Sequence, residues 1–136
     1  MNNEEQTLSI IKPDAVERNL QDEIKNEFKK KGFSIVKEKK IHILKSEAEQ
    51  FYKVHQTKPF YNDLCTYLSS GPIIVMALKK DNAVLDNRQL MGATNPKEAE
   101  EGTLRKKYGI SIDKNSVHGS DSVENAKIEI DFFFKD

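Results

Sequence analysis

Residues 73–78 form an apolar run that constrains the fold of this chain more than any other segment. The run is Ile-Ile-Val-Met-Ala-Leu, it follows Ser-Gly-Pro, and it stands in a chain whose residues are 32% charged. Consecutive apolar residues indicate a strand buried on both faces, and so short a run favours a strand over a helix. The chain is therefore predicted to build a sheet around residues 73–78.

Strand and helix patterns mix on both sides of this run. Residues 8–11 predict a first strand that ends at Lys12-Pro13, because proline cannot continue a hydrogen-bond ladder. A second strand is predicted within residues 35–44. Amphipathic spacing over residues 20–28 predicts a helix. This mixture predicts an α+β sandwich in which helices cover one face of the sheet.

Turn and capping signals place the remaining elements. Ser46-Glu47-Ala48-Glu49 matches a capping box, so a helix is predicted from Ser46 towards residue 55. Further helices are predicted over residues 62–68, 83–91 and 103–108, and from residue 122. The type of the apolar patch at 130–134 stays open.

Composition limits the classes of function. The 136 residues fit one domain, residues 1–136, and 22 basic side chains balance 22 acidic ones. A chain without net charge has no global field to attract nucleic acid or an anionic membrane. Cys65 is the single cysteine, the first residues lack a signal-peptide pattern, and six apolar residues are far fewer than the roughly 20 that span a bilayer. We expect a cytoplasmic protein with no membrane segment and no obligatory nucleic acid.

Residues 115–122, Asn-Ser-Val-His-Gly-Ser-Asp-Ser, present His118 beside a glycine and among small polar side chains. A histidine can act as a nucleophile while one ring nitrogen is unprotonated, and the ordinary pKa of about 6.5 makes that form abundant at neutral pH. The same residues also suit a plain turn before a helix. His42 and His55 lack such neighbours and are interpreted as surface and structural residues.

Other patterns of chemistry are missing from the sequence. It contains neither the phosphate-binding loop Gly-x-x-x-x-Gly-Lys-Ser/Thr nor the glycine-rich and catalytic loops of protein kinases, so side chains would have to hold phosphate. The spacing of histidine, cysteine and carboxylate residues does not resemble a closed zinc or calcium site. Lone cations such as Lys12, Arg88 and Arg105 are most often surface residues.

The octapeptide 115–122 closely resembles the active-site signature of nucleoside diphosphate kinases, and the resemblance extends over residues 6–134. Further matching motifs follow in order: Lys12-Pro13-Asp14-Ala15-Val16, residues 52–61, Ser70-Gly71-Pro72, Asn87-Arg88, residues 90–96 and Gly102-Thr103-Leu104-Arg105. The resemblance implies a ferredoxin-like βαββαβ sandwich with an antiparallel sheet covered by helices.

The resemblance also implies roles for individual residues. His118 would carry the phosphoryl group, Glu129 would orient its imidazole, and Tyr52 would lie near the ring. The other implied residues contact the nucleotide: Lys12, Arg88 and Arg105 at the phosphates, Thr94 and Asn115 as hydrogen-bonding partners of phosphate and sugar, and Phe60, Leu64 and Ile112 at the base. Mg²⁺ is expected mainly on the nucleotide phosphates, with Asp121 contacting it through water.

The predicted function is transfer of the γ-phosphoryl group of a nucleoside triphosphate, typically ATP, to a nucleoside or deoxynucleoside diphosphate by a ping-pong mechanism. Family resemblance implies a homo-oligomer, a tetramer or a hexamer built from dimers, and the sequence does not choose between them. Two alternatives stay open: a catalytically idle module that binds nucleotide or nucleic acid, and a phosphohistidine carrier that passes its phosphoryl group to proteins.

Overall fold

The structure is a computed structural model that describes residues 4–110, 114 and 116–134. Four strands and seven helices follow one another along these residues: β1 (Glu4–Ile11), α1 (Pro13–Glu17), α2 (Gln21–Lys30), β2 (Ser34–Ile41), α3 (Lys45–Phe51), α4 (Tyr61–Leu68), β3 (Ile73–Asp81), α5 (Ala83–Met91), α6 (Leu104–Tyr108), β4 (Val117–Gly119) and α7 (Val123–Phe134). Short 3-10 helices span Lys53–His55 and Pro96–Glu98.

The four strands form one antiparallel sheet in the order β2-β3-β1-β4. β1 and β3 are central, so the N-terminal strand and the apolar run are hydrogen-bonded neighbours, with Ile10 opposite Val75. β4 is a three-residue edge strand that pairs with β1 alone. This arrangement confirms the ferredoxin-like α+β fold, with α3 and α4 inserted between β2 and β3.

Helices cover both faces of the sheet, so the expectation of one covered face is wrong. Alternate residues of β3 enter two separate cores: Ile74, Met76 and Leu78 pack with α1, α2, α5 and α6, while Ile73, Val75 and Ala77 pack with α3, α4 and α7. A strand buried on both faces needs apolar residues at every position, because successive side chains point to opposite faces. The two-sided burial predicted for residues 73–78 is thus confirmed.

Several local boundaries differ from the predictions, most clearly at β2 and α3. β2 ends at Ile41, and exposed His42 follows it. α3 is capped two residues earlier than predicted, at Leu44, whose backbone N donates to Oε1 of Glu47 at 2.9 Å, so Ser46 lies inside the helix. Residues 130–134, whose type was open, complete α7. Capping by Glu47 fits the general preference for acidic side chains in a first helical turn.

The predicted absence of a membrane segment was tested on the helices. Across the described residues, no helix combines the length and the apolar character that crossing a bilayer requires.

Candidate active site

His118 is the middle residue of β4, opposite Ile10 of β1. A residue on a three-residue edge strand keeps one side open, so the half-buried imidazole is reachable from solvent. Gly119 follows because the neighbouring space is filled: a Cβ atom there would lie 2.3 Å from Nδ2 of Asn87 and 2.7 Å from Cε of Met91. Helix α5 can therefore pack directly against the strand that carries His118.

Glu129 of α7 fixes the orientation of the His118 ring. Its Oε1 lies 3.0 Å from Nε2 of His118 and also accepts a hydrogen bond from Oγ of Ser120 at 3.0 Å. Ser120 Oγ in turn accepts from the backbone N of Leu8 at 3.1 Å. With a carboxylate on Nε2, the tautomer that carries its proton on Nε2 is favoured, and Nδ1 keeps the lone pair.

Aromatic rings border the imidazole. The ring centroid of Phe51 lies 5.3 Å from that of His118, and the centroid of Tyr52 lies 6.2 Å away; both contacts are edge-to-face. Burial, together with the nearby Glu129 carboxylate, raises the pKa of Tyr52 well above its ordinary value. Tyr52 is therefore a neutral phenol, able to donate a hydrogen bond, at neutral pH.

Arg105 of α6 links Gly92, which directly follows α5, to the strand that carries His118. Nη1 donates to the carbonyl of Gly92 and Nη2 to the carbonyl of Val117, each at 3.0 Å. Burial lowers the pKa of Arg105 to about 10, and the charge of Arg88 acts in the same direction, but the guanidinium remains charged at neutral pH. Arg88, Thr94 and Arg105 line one groove, in which Arg88 and Thr94 are exposed.

Lys12 is buried rather than a surface cation. The residue is 5% exposed, it caps the N-terminus of α1, and its backbone N donates to the carbonyl of Ser116 at 2.8 Å. This bond joins the loop after β1 to the segment that precedes β4. Lys12 thus lies next to the strand of His118, although 106 positions separate the two residues in the sequence.

Phe60 is 46% exposed at the start of α4, so its ring faces solvent and not the core. Its ring centroid lies 6.0 Å from the His55 ring, which lies 6.1 Å from Tyr52. Three rings therefore lead from Phe60 towards His118. Leu64 follows one turn later, half-buried against the core.

Family models and known relatives were compared with this chain. The model described as nucleoside diphosphate kinase matches residues 5–136. The chain belongs to the nucleoside diphosphate kinase family. Nucleoside diphosphate kinases of Geotalea daltonii and Geotalea uraniireducens are 57% and 56% identical over 130 residues, which are 96% of this chain and 95% of each relative.

Solved structures agree with this assignment. The crystal structure of the Aquifex aeolicus nucleoside diphosphate kinase has a TM-score of 0.95 to this chain and 36% sequence identity, and the match covers 97% of this chain and 96% of that one. The Encephalitozoon cuniculi nucleoside diphosphate kinase has a TM-score of 0.94 and 37% identity, covering 97% and 90%. Both the predicted family and the predicted fold are confirmed.

Two of the residues expected to contact nucleotide in a nucleoside diphosphate kinase, Ile112 and Asn115, lie outside the described residues. Among the described site residues, Tyr52 and Glu129 contact the His118 ring. Arg88, Thr94 and Arg105 line one groove, Lys12 lies in the loop bonded to Ser116, and Phe60 and Leu64 lie in the first turns of α4.

Within the part of the chain that the structure describes, no three histidine, cysteine or acidic side chains are grouped to hold an ion. Asp121 is exposed three positions after His118, and its Oδ1 accepts from Nδ2 of Asn125 at 2.6 Å. A single exposed carboxylate fits a magnesium ion that keeps its waters and is held mainly by substrate phosphates.

Sequence reasoning missed two contributors to the site. Phe51 contacts the imidazole edge-to-face, and its position next to Tyr52 at the end of α3 was the available signal. Ser116 has a φ of 75° and a buried hydroxyl, and a serine two residues before the histidine gave no pattern that predicts either. Glu129, which looks like an exposed helix acid in sequence, has a side chain only 18% exposed.

Proposed function

We propose that His118 carries the phosphoryl group in the nucleoside diphosphate kinase reaction that this chain catalyses. One observation supports this assignment most directly: Glu129 Oε1 lies 3.0 Å from Nε2 of His118. Because Nε2 donates to the carboxylate, the nucleophilic lone pair belongs to Nδ1.

The reaction has two equivalent halves. Nδ1 of His118 attacks the γ-phosphorus of a nucleoside triphosphate, a P–N bond forms, and the bond from the γ-phosphorus to the bridging oxygen breaks. The bridging oxygen leaves with the electron pair as part of the nucleoside diphosphate. A terminal phosphate oxygen of a second diphosphate then attacks the phosphohistidine, the P–N bond breaks, and the lone pair returns to Nδ1.

Side chains around the imidazole would perform separate tasks. Glu129 stabilises the positive charge that the ring acquires when Nδ1 is phosphorylated, as an orienting carboxylate does in other histidine-based sites. Lys12, Arg88 and Arg105 supply positive charge to the phosphate oxygens, which phosphoryl transfer requires more than any particular fold. Tyr52 donates from its neutral hydroxyl near the ring.

Nucleotide recognition would rest on stacking and a few polar contacts. The exposed ring of Phe60 offers a surface for a base, and stacking discriminates little between bases because every base has a π face. Leu64 and Ile112 would line the base slot, while Thr94 and Asn115 would bond to phosphate and sugar. This arrangement supports acceptance of nucleotides that carry different bases.

Mg²⁺ is proposed as the ion that accompanies the nucleotide. Bound to the phosphates, it would neutralise their negative charge, and Asp121 would accept a hydrogen bond from one of its waters. We further propose that residues 1–136 act as one domain, that the chain assembles as a homo-oligomer of dimers, and that it works in the cytoplasm on ATP and other nucleotides.

Intact mass measured after mixing the protein with magnesium and ATP, without an acceptor, tests the phosphohistidine. We expect one acid-labile phosphoryl group on the parent, none on His118→Ala, and discharge by GDP or dCDP. His42→Ala is a matched control and should be phosphorylated like the parent. Exchange activity of His118→Ala comparable with that of the parent would refute the proposal.

Discharge also separates the two other candidates. A parent that binds nucleotide but gains no phosphoryl group would be a binding module. A parent that gains the group yet transfers it to proteins and not to nucleoside diphosphates would be a phosphohistidine carrier.

A further inference from the structure

A buried hydrogen-bond network joins the Lys12 loop to the segment that leads into β4. The backbone N of Lys12 donates to the carbonyl of Ser116 at 2.8 Å, and Ser116 Oγ lies 2.9 Å from Oδ2 of Asp14. Asp14 is 5% exposed and Ser116 is fully buried. The two segments therefore meet through one backbone bond and one side-chain bond, both shielded from water.

The carboxylate of Asp14 collects three donors. Besides Ser116 Oγ, it accepts from Nη2 of Arg18 at 3.1 Å and from the hydroxyl of Tyr67, and the backbone N of Asp14 donates back to that hydroxyl at 2.9 Å. Burial and the bond to Asp14 raise the pKa of Tyr67, which therefore remains a donor. A buried carboxylate satisfied in this way has little freedom to move.

Ser116 adopts a strained backbone conformation in this position. Its φ is 75°, in the left-handed region that side-chain-bearing residues rarely adopt. Its hydroxyl accepts from Nη2 of Arg18 at 3.2 Å and lies within donating distance of Oδ2 of Asp14, at 2.9 Å, and of the carbonyl of Tyr108, at 3.0 Å. Side chains from α1 and from the residue that follows it therefore contact the strained residue. Two residues further along the chain stands His118, and the direction in which β4 starts depends on this turn.

We infer that Asp14 and Ser116 are positioning residues that set the placement of Lys12 relative to His118. This inference rests on the proposed function, in which Lys12 contacts phosphate and His118 attacks it. Neither residue is catalytic, since each acts through a neighbour: Asp14 through the loop of Lys12, and Ser116 through the strand of His118. A misplacement of about 1 Å between reacting groups can lower the rate roughly 100-fold, so residues that set this placement can have a large effect on the rate.

A merely structural role would give a different result for two substitutions of the same residue. Ser116→Ala removes the hydroxyl and keeps the strain, whereas Ser116→Gly removes the hydroxyl and relieves the strain, because glycine adopts positive φ readily. If Ser116 affects only the stability of the protein, Ser116→Gly should regain the rate that Ser116→Ala loses. If the bond to Asp14 positions the site, both variants are slow.

The experiment measures the rate of phosphoryl uptake from magnesium and ATP in single turnovers, over a range of ATP concentrations, together with the melting temperature. We expect the saturated rate of both Ser116 variants to fall at least 10-fold, with the half-saturating ATP concentration changed less than about 3-fold. Ser116→Gly should melt at a higher temperature than Ser116→Ala. Ser69→Ala is the matched control, because its hydroxyl donates to Cys65 O at 2.8 Å within its own helix end, and it should keep the parent rate.

Asp14→Asn completes a cycle with Ser116→Ala. Two residues that act as one unit are not additive, so the double variant should be no more than about 2-fold slower than the slower single variant. A parent rate in Ser116→Gly, or multiplied losses in the double variant, would overturn the inference. A parent that takes up no phosphoryl group would instead refute the proposed function, so the two failures are distinguishable.

Discussion

One carboxylate oxygen, Oε1 of Glu129, lies 3.0 Å from Nε2 of His118 and 3.0 Å from Oγ of Ser120. Ser120 is fully buried and also bonds to the backbone of β1, so the acid is fixed from the side opposite the imidazole. The orientation of the ring is therefore set by contacts from three elements, β1, the segment after β4, and α7. The contact of Nε2 with Glu129 therefore leaves the lone pair on Nδ1 in the free protein.

Glu129→Gln should slow phosphoryl uptake roughly 10- to 100-fold, as loss of an orienting partner does for other histidines with defined roles. The amide can offer an N–H to Nε2 and so favour the tautomer that lacks a lone pair on Nδ1. Single-turnover mixing with magnesium and ATP measures the rate. Glu124→Gln, an exposed acid in the first turn of the same helix, is the control and should match the parent. Equal rates in the two variants would contradict the role given to Glu129.

Arg105→Lys should lower both stability and activity, although it keeps the charge. An ammonium cannot reproduce the fork that reaches the carbonyls of Gly92 and Val117, and loss of charge-assisted bonds costs about 1.5–3 kcal/mol. Urea unfolding and nucleotide exchange at saturating substrate measure the two effects. Lys106→Arg, an exposed neighbour in α6, should change neither. Full activity in Arg105→Lys would show that the fork is dispensable.

Gly119→Ala should destabilise the protein by about 1–3 kcal/mol, the usual cost of inserting an atom into packed space. The added Cβ would lie 2.3 Å from Nδ2 of Asn87. Gly71→Ala is the comparison, since its Cβ would lie an ordinary 3.6 Å from Cβ of Pro13, and a change within about 0.5 kcal/mol is expected. The denaturant midpoints of the two variants test this prediction. Equal midpoints would show that α5 can shift away from the added Cβ at little cost in stability.

Stability should fall as the pH drops below about 6.5, in part because of His55. Burial, and then the charge of Lys58, lowers the pKa of His55 from 6.5, so the unfolded chain binds more protons than the folded chain between 6.5 and that lower value. The stability that neutral His55 contributes is fully present above pH 6.5 and is lost as the pH falls through this window. Urea unfolding at pH 7.5 and 5.5 should show a smaller loss for His55→Gln than for the parent; an equal loss would remove His55 as a cause.

The fold was largely predictable because its strongest signals are local. The apolar run at residues 73–78 predicts a doubly buried strand by itself, and α5 begins and ends at the predicted residues 83 and 91. Coverage of both faces could not be predicted from the pattern of helices, since it depends on which face each helix packs against. The cap of α3 was misplaced because Ser46 resembles a cap in sequence, whereas Glu47 accepts from the backbone of Leu44, two residues before Ser46.

Only the site residues that stand in recognisable sequence motifs were predictable. His118 stands in a recognisable octapeptide, but the residue pattern suggested a turn before a helix and did not predict the edge strand that carries it. The burial of Lys12 and the ring contact of Phe51 depend on long-range packing that no local pattern contains. Ser116 is the clearest case, because its strained φ is sustained by Asp14 and Arg18 from nearly a hundred positions away or more.

The division of β3 between two cores has a consequence for how the molecule melts. Ile74 and Val75 are adjacent in the chain yet belong to opposite hydrophobic clusters. Both clusters depend on the same strand, so the loss of β3 from one cluster also removes it from the other. We therefore expect both clusters to unfold in one cooperative transition. Heat absorption and the loss of phosphoryl exchange should then share a midpoint, since the strand that supports His118 pairs with β1, the direct neighbour of β3.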